Sequence, residues 1–69
     1  MPLIYAPVGQ DLPIIHISGK PDVRRHLQEM GFVKGETLRI VSHMGGNMIV
    51  VVKETRVAID RELAANILV

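Results

Sequence analysis

Apolar and polar residues along this chain change period repeatedly, and each change marks a structural element. Met1 to Gly9 holds Pro2, Pro7 and Gly9 and reads as an extended lead-in anchored by Leu3, Ile4 and Val8. Leu12 to Ser18 then alternates. Ile15 and Ile17 fall on one face and His16 and Ser18 on the other, which predicts a strand ended by Gly19. From Pro21 the period becomes helical. Val23, Leu27 and Met30 fall at i, i+4 and i+7 as one buried stripe, with Arg24, Arg25, Gln28 and Glu29 off it. Pro21 suits the first helical position, where its missing N–H costs nothing, and Asp22 complements the helix dipole. The helix is expected over Pro21 to Met30. Gly31 supplies a left-handed residue just past its end, and Phe32 is placed to pack back on Leu27 in a Schellman stop.

Thr37 to Ser42 predicts the next strand, with Leu38 and Ile40 facing one way. Gly45-Gly46-Asn47 is a hairpin signal. Met48 to Lys53 follows as an almost unbroken apolar run, which calls for burial on both faces or contact with another chain. In a single small barrel only one face is inside. The outer pair, Ile49 and Val51, is expected to be covered chiefly by other parts of the chain, the alternative cover being another chain. Lys53 to Arg56 should turn and Val57 to Ile59 return as a strand. Asp60 is a good N-cap for a short helix Arg61 to Asn66, in which Leu63 and Ile67 are four apart. Four or five short strands with one inserted helix predict a mainly β fold, a small closed or nearly closed barrel, as one domain over residues 1–69.

Composition narrows the chemistry. Hydrophobic residues make up 48%, but the only aromatics are Tyr5 and Phe32, so the core must be aliphatic. The absence of cysteine removes disulfides, thiolate metal sites and cysteine nucleophiles together. A net charge of +1 with scattered basic residues is a poor footprint for nucleic acid, and the chain lacks aromatic residues for base stacking. No leader precedes the first strand, and no apolar run approaches the ~20 residues that span a bilayer, so the expectation is a soluble, cytoplasmic protein.

Read together, these segments resemble the ferrous-iron transport protein A family (FeoA). The marks are Ala6-Pro7-Val8-Gly9, Arg25-His26-Leu27 leading to Met30-Gly31-Phe32-Val33-Lys34-Gly35, Leu38-Arg39-Ile40-Val41, Gly45-Gly46-Asn47, and Val57-Ala58-Ile59-Asp60-Arg61-Glu62-Leu63-Ala64. The helix–Gly–x–x–x–Gly–strand segment is the most specific of them. The resemblance covers almost the whole chain and implies an SH3-like barrel. It also implies a small cytosolic accessory protein that binds and modulates a ferrous-iron permease of the FeoB type, which carries a G-protein domain. The alternative it carries is an SH3-like regulatory domain linked to a metal-dependent transcription regulator. Two departures stand out: family members usually have Gly where this chain has Glu54, and polar residues are common at the position of Val51.

The candidate sites follow. His16 and His43 are the candidate metal ligands, because imidazole suits divalent transition metals. They share no ligand-like spacing with each other or with His26, and surface histidines are the simpler reading. No cofactor is expected, nor tight binding of ferrous iron by the isolated protein. The carboxylates form no paired motif, and Asp22, Asp60 and Glu62 already have capping or dipole roles. Gly45-Gly46 lacks the spacing and the Lys of a phosphate loop. No enzyme activity is expected, and nucleotide would bind the partner. The candidate partner surface is Met44, Gly45, Gly46, Ile49 and Val51, with polar contacts from Arg24 and Arg25. Met30 reads as core. Self-association is a further use of the same surface.

Overall fold

The computed structural model describes residues 1–69. A single 3₁₀ turn, Leu3–Tyr5, precedes strands β1 (Asp11–Pro13) and β2 (His16–Ile17). Helix α1 (Pro21–Glu29) leads to β3 (Thr37–Met44), β4 (Asn47–Val52) and β5 (Thr55–Asp60), followed by α2 (Arg61–Ala65) and β6 (Ile67–Leu68). One antiparallel sheet has the order β1-β3-β4-β5, and a smaller one pairs β2 with β6. The two sheets enclose one core of 14 buried residues, all hydrophobic, Phe32 being its only aromatic. This is the small, mainly β fold expected from the pattern, but with six strands in two sheets rather than four or five in one closed or nearly closed barrel.

The local stops follow the expected chemistry. Met30 caps α1 and is half-buried against the core rather than inside it. Gly31 has φ +102, its N–H donates to the Gln28 carbonyl at 3.0 Å, and the Phe32 N–H donates to the Leu27 carbonyl at 3.0 Å. These are the two bonds of a Schellman motif. Asp60 caps α2: its Oδ1 accepts from the Leu63 N–H at 2.8 Å.

Several expectations are corrected. The strand foreseen over Leu12 to Ser18 is two strands in different sheets. Pro13 cannot donate to a ladder. Beyond it the Ile14 N–H turns to the Glu36 carbonyl and the Ile15 N–H to the Leu68 carbonyl. The chain therefore kinks, and Ile14 and Ile17 are buried while Ile15 is exposed. The lead-in forms a turn that buries Leu3 but leaves Val8 exposed. The last helix stops at Ala65. Its buried residue is Ala64, and Ile67 fills the core from β6 instead. The turn expected over Lys53 to Arg56 is tighter, because β5 already begins at Thr55.

Candidate functional site

Strand β4 builds the outer surface of the larger sheet. Met48, Val50 and Val52 alternate inward and are fully buried. Ile49 and Val51 face outward and remain half-buried, between full cover and full exposure. Register decides what surrounds them. Val51 lies between Arg39 on β3 and Arg56 on β5, and Ile49 lies between Ser42 and Ala58. Residues directly opposite across strands share a face, so both arginines flank Val51 on the outside. Their aliphatic stems can lie along it while the guanidinium groups stay in water. Arg39 also meets Asp11 Oδ1 at 3.7 Å, an exposed ion pair that adds little stability. The result is a strip of apolar surface bracketed by two cations.

At one end of this strip the β3–β4 hairpin turns on Gly45 and Gly46. Gly45 has φ +60, the left-handed conformation a two-residue hairpin needs. A Cβ added at either glycine would meet nothing within 4 Å, so the turn stands in open space. Met44 closes the strand beside it and is 63% exposed, whereas Met48 is buried. One residue of β3, Val41, is bulged out of register with β4 between Ile40 and Ser42. The bulge puts Met44 on the outer face and His43 on the inner one.

The proposed partner residues therefore divide. Met44, Gly45, Gly46, Ile49 and Val51 share the hairpin and the outer sheet face. Arg24 and Arg25 are exposed on α1, a separate element whose terminal Gly31 packs near Val52 and Lys53, at the far end of β4 from the hairpin. The basic residues on the strip itself are Arg39 and Arg56. In the sequence they read as scattered, solvated basic residues, because only the register places them beside Val51.

The histidines are dispersed over different elements. His16 lies on β2 and His26 on α1, both exposed. His43 lines a shallow hollow of about 150 Å³ with Ile4, Asn47, Met48 and Arg61. Arg61 brings a positive charge to the lining of that hollow, which disfavours a bound metal cation there. No group of three or more His, Cys, Asp or Glu side chains converges on one point. No helix is long and apolar enough to cross a membrane.

Comparison with known proteins bears on this surface. The FeoA domain model matches residues 1–69. No curated protein matches the chain. Among solved structures, an iron uptake regulatory protein (FeoA) aligns with TM-score 0.88 and 26% identity, covering 97% of this chain and 91% of that one. The zinc complex of Stenotrophomonas maltophilia FeoA aligns with TM-score 0.83 and 30% identity, over 99% of this chain and 87% of that one. That protein is described as an SH3 domain protein and as a candidate activating factor for bacterial ferrous-iron transport. A manganese-dependent transcriptional repressor aligns with TM-score 0.88 but only 20% identity. The match covers 97% of this chain and 39% of the repressor, so this likeness concerns the fold.

Proposed function

The chain belongs to the FeoA domain family, with its SH3-like fold and its link to iron transport. From that premise we propose that it is a cytoplasmic accessory protein that docks on the cytosolic region of a FeoB-type ferrous-iron permease and modulates its activity. Iron is then the cargo of the partner, and this chain acts through protein contact. The observation that carries the reading is the outer face of β4. Ile49 and Val51 are two half-exposed aliphatic side chains, bracketed by Arg39 and Arg56 and continued by exposed Met44 at an open glycine turn. Apolar surface of this kind on a small domain marks interaction sites. Methionine adapts its shape to a partner, and arginine is favoured where a polar rim meets one. A regulatory role beside a transcription factor is supported only by shared fold.

The test is capture of purified permease cytosolic region by the wild type and two variants, each checked by circular dichroism. Met44→Asp should abolish capture with the fold intact, since Met44 is outside the core. Val51→Lys should weaken it less. Undiminished capture by folded Met44→Asp removes the hairpin from the interface, and failure of the wild type to bind refutes the reading.

A further inference from the structure

The larger sheet has two edges, and they are treated differently. Strand β1 is three residues long and ends on Pro13, two devices that blunt an edge. Strand β5 is six residues long, pairs with β4 in unbroken register, and contains no proline, lysine or bulge. Its other side is open. The two-residue turn Lys53-Glu54 makes Val52 and Thr55 the closing hydrogen-bonded pair. Bonded pairs alternate from there, so Val50–Val57 and Met48–Ile59 also bond, and Arg56, Ala58 and Asp60 direct their backbone groups away from β4. None of the sixteen backbone hydrogen bonds outside helices and strands uses these three residues. The Asp60 carbonyl opens helix α2 as its N-cap. That leaves the Asp60 N–H and both groups of Arg56 and Ala58 without a protein partner.

The side chains on this edge are self-complementary. Arg56, Ala58 and Asp60 alternate onto the outer face, with a cation at one end, an anion at the other and a methyl between. Only one antiparallel register of two such strands matches the charges, the one centred on Ala58. There Ala58 faces Ala58 of the second copy, and each Arg56 faces Asp60 of the other. Asp60 gives one carboxylate oxygen to the Leu63 cap, which leaves its other oxygen for the guanidinium. Four backbone bonds form: the reciprocal pair between the two Ala58 residues, and two from Asp60 N–H to the Arg56 carbonyl. Any other in-phase register sets Arg56 or Asp60 against a non-partner or leaves it overhanging.

We infer that β5 is a homodimerisation edge, joining two copies of this chain antiparallel about Ala58 into one eight-stranded sheet. The inference goes beyond transporter binding and does not depend on it. It gives the outer β4 strips a second function-bearing context, since two of them would lie on one continuous face.

Because the chain has no cysteine, thiol cross-linking at single introduced cysteines tests the register directly. Across a bonded antiparallel pair the Cβ atoms are about 5.5 Å apart, too far for an unstrained disulfide but within reach of a bifunctional thiol reagent a few ångströms long. Ala58→Cys should therefore be joined into a covalent dimer by such a short thiol cross-linker. Arg56→Cys should not, since the two copies of that position sit about 13 Å apart along the strands. Without cross-linking, sedimentation of the wild type should show a monomer–dimer equilibrium that weakens in high salt. Ala58→Pro, which removes an outward N–H that only a partner strand would use, should sediment as a folded monomer. Equal trapping at both positions would overturn the register. A wild type that stays monomeric as its concentration rises, or a folded Ala58→Pro that still dimerises, would overturn the proposal. So would protection of the β5 amides from exchange only when permease cytosolic region is added, which would assign the edge to the transporter.

Discussion

Val50 and Val51 are neighbours of the same residue type in the middle of the same strand, yet they belong to different parts of the molecule. Val50 is fully buried among Ile40, Met48, Val52 and Ile59, and Val51 is half-exposed between two arginines. Composition cannot distinguish them, and the apolar run Met48 to Val52 reads the same from either side. The pleat separates them, and the rest of the sheet fixes which face is which. The inner face answers to folding. The outer face is free to answer to a partner.

The sharpest way to break this contrast is the same substitution at both positions. Val50→Asp places a charge among apolar side chains with no partner. It should remove about 4 kcal/mol or more, which is most of the stability of a domain this size. Val51→Asp meets water and two arginines and should change stability by less than about 1 kcal/mol. Urea denaturation followed by circular dichroism gives both values. Similar losses at the two positions would mean that the outer face is as much core as the inner one.

A smaller effect sharpens the comparison at the edge of the inner face. Gly31 ends α1 where a Cβ would come within 3.7 Å of Val52 Cγ1 and 3.6 Å of Lys53 Cδ, ordinary contact distances. Space is therefore not the constraint. The constraint is φ +102, which side chains rarely adopt. Gly31→Val should lose about 1–2 kcal/mol from backbone strain, with Gly31→Ala losing less than Gly31→Val. Losses that followed side-chain volume against Val52 alone, with Gly31→Ala neutral, would replace strain by packing as the cause.

Legibility in the sequence followed the reach of the interaction. The Schellman stop at Gly31, the Asp60 cap and the Gly45-Gly46 hairpin are satisfied within a few residues, and each was readable from spacing. The break between β1 and β2 was not. Alternation favoured Ile15 beside Ile17, but hydrogen bonds to Glu36 and Leu68, distant in sequence, turn Ile14 inward instead. Strand β6 is two residues long and exists only because β2 lies beside it. The candidate site shows the same division. Met44 beside the glycine turn, and the separation of Ile49 and Val51 from Met48, Val50 and Val52, follow from local pattern. The flanking Arg39 and Arg56 follow only from the register of three strands.

The two ends of β4 offer the finest comparison. At one end the two-residue turn is Gly45-Gly46, with Gly45 at φ +60 without steric penalty. At the other it is Lys53-Glu54, with φ +50 and +62 on two residues that carry side chains. Two successive positive φ values define a type I′ turn, which matches the twist of the flanking strands and favours Asn-Gly. The tight turn is therefore the same kind that glycine would make, held here by β4–β5 pairing against its local preference. The Thr55 hydroxyl donates to the Lys53 carbonyl at 3.4 Å and helps to hold it. Glu54→Gly relieves a left-handed penalty of about 1 kcal/mol or slightly more. It gives part of this back as added freedom of the unfolded chain. The net gain should be about 0.5–1 kcal/mol, with Lys53→Asn added to it raising the gain further. Gly45→Ala should lose stability by a similar amount at the other end. Thermal denaturation of the three variants decides the matter. A Glu54→Gly protein less stable than wild type would show that the side chain at this turn makes a contribution exceeding its strain.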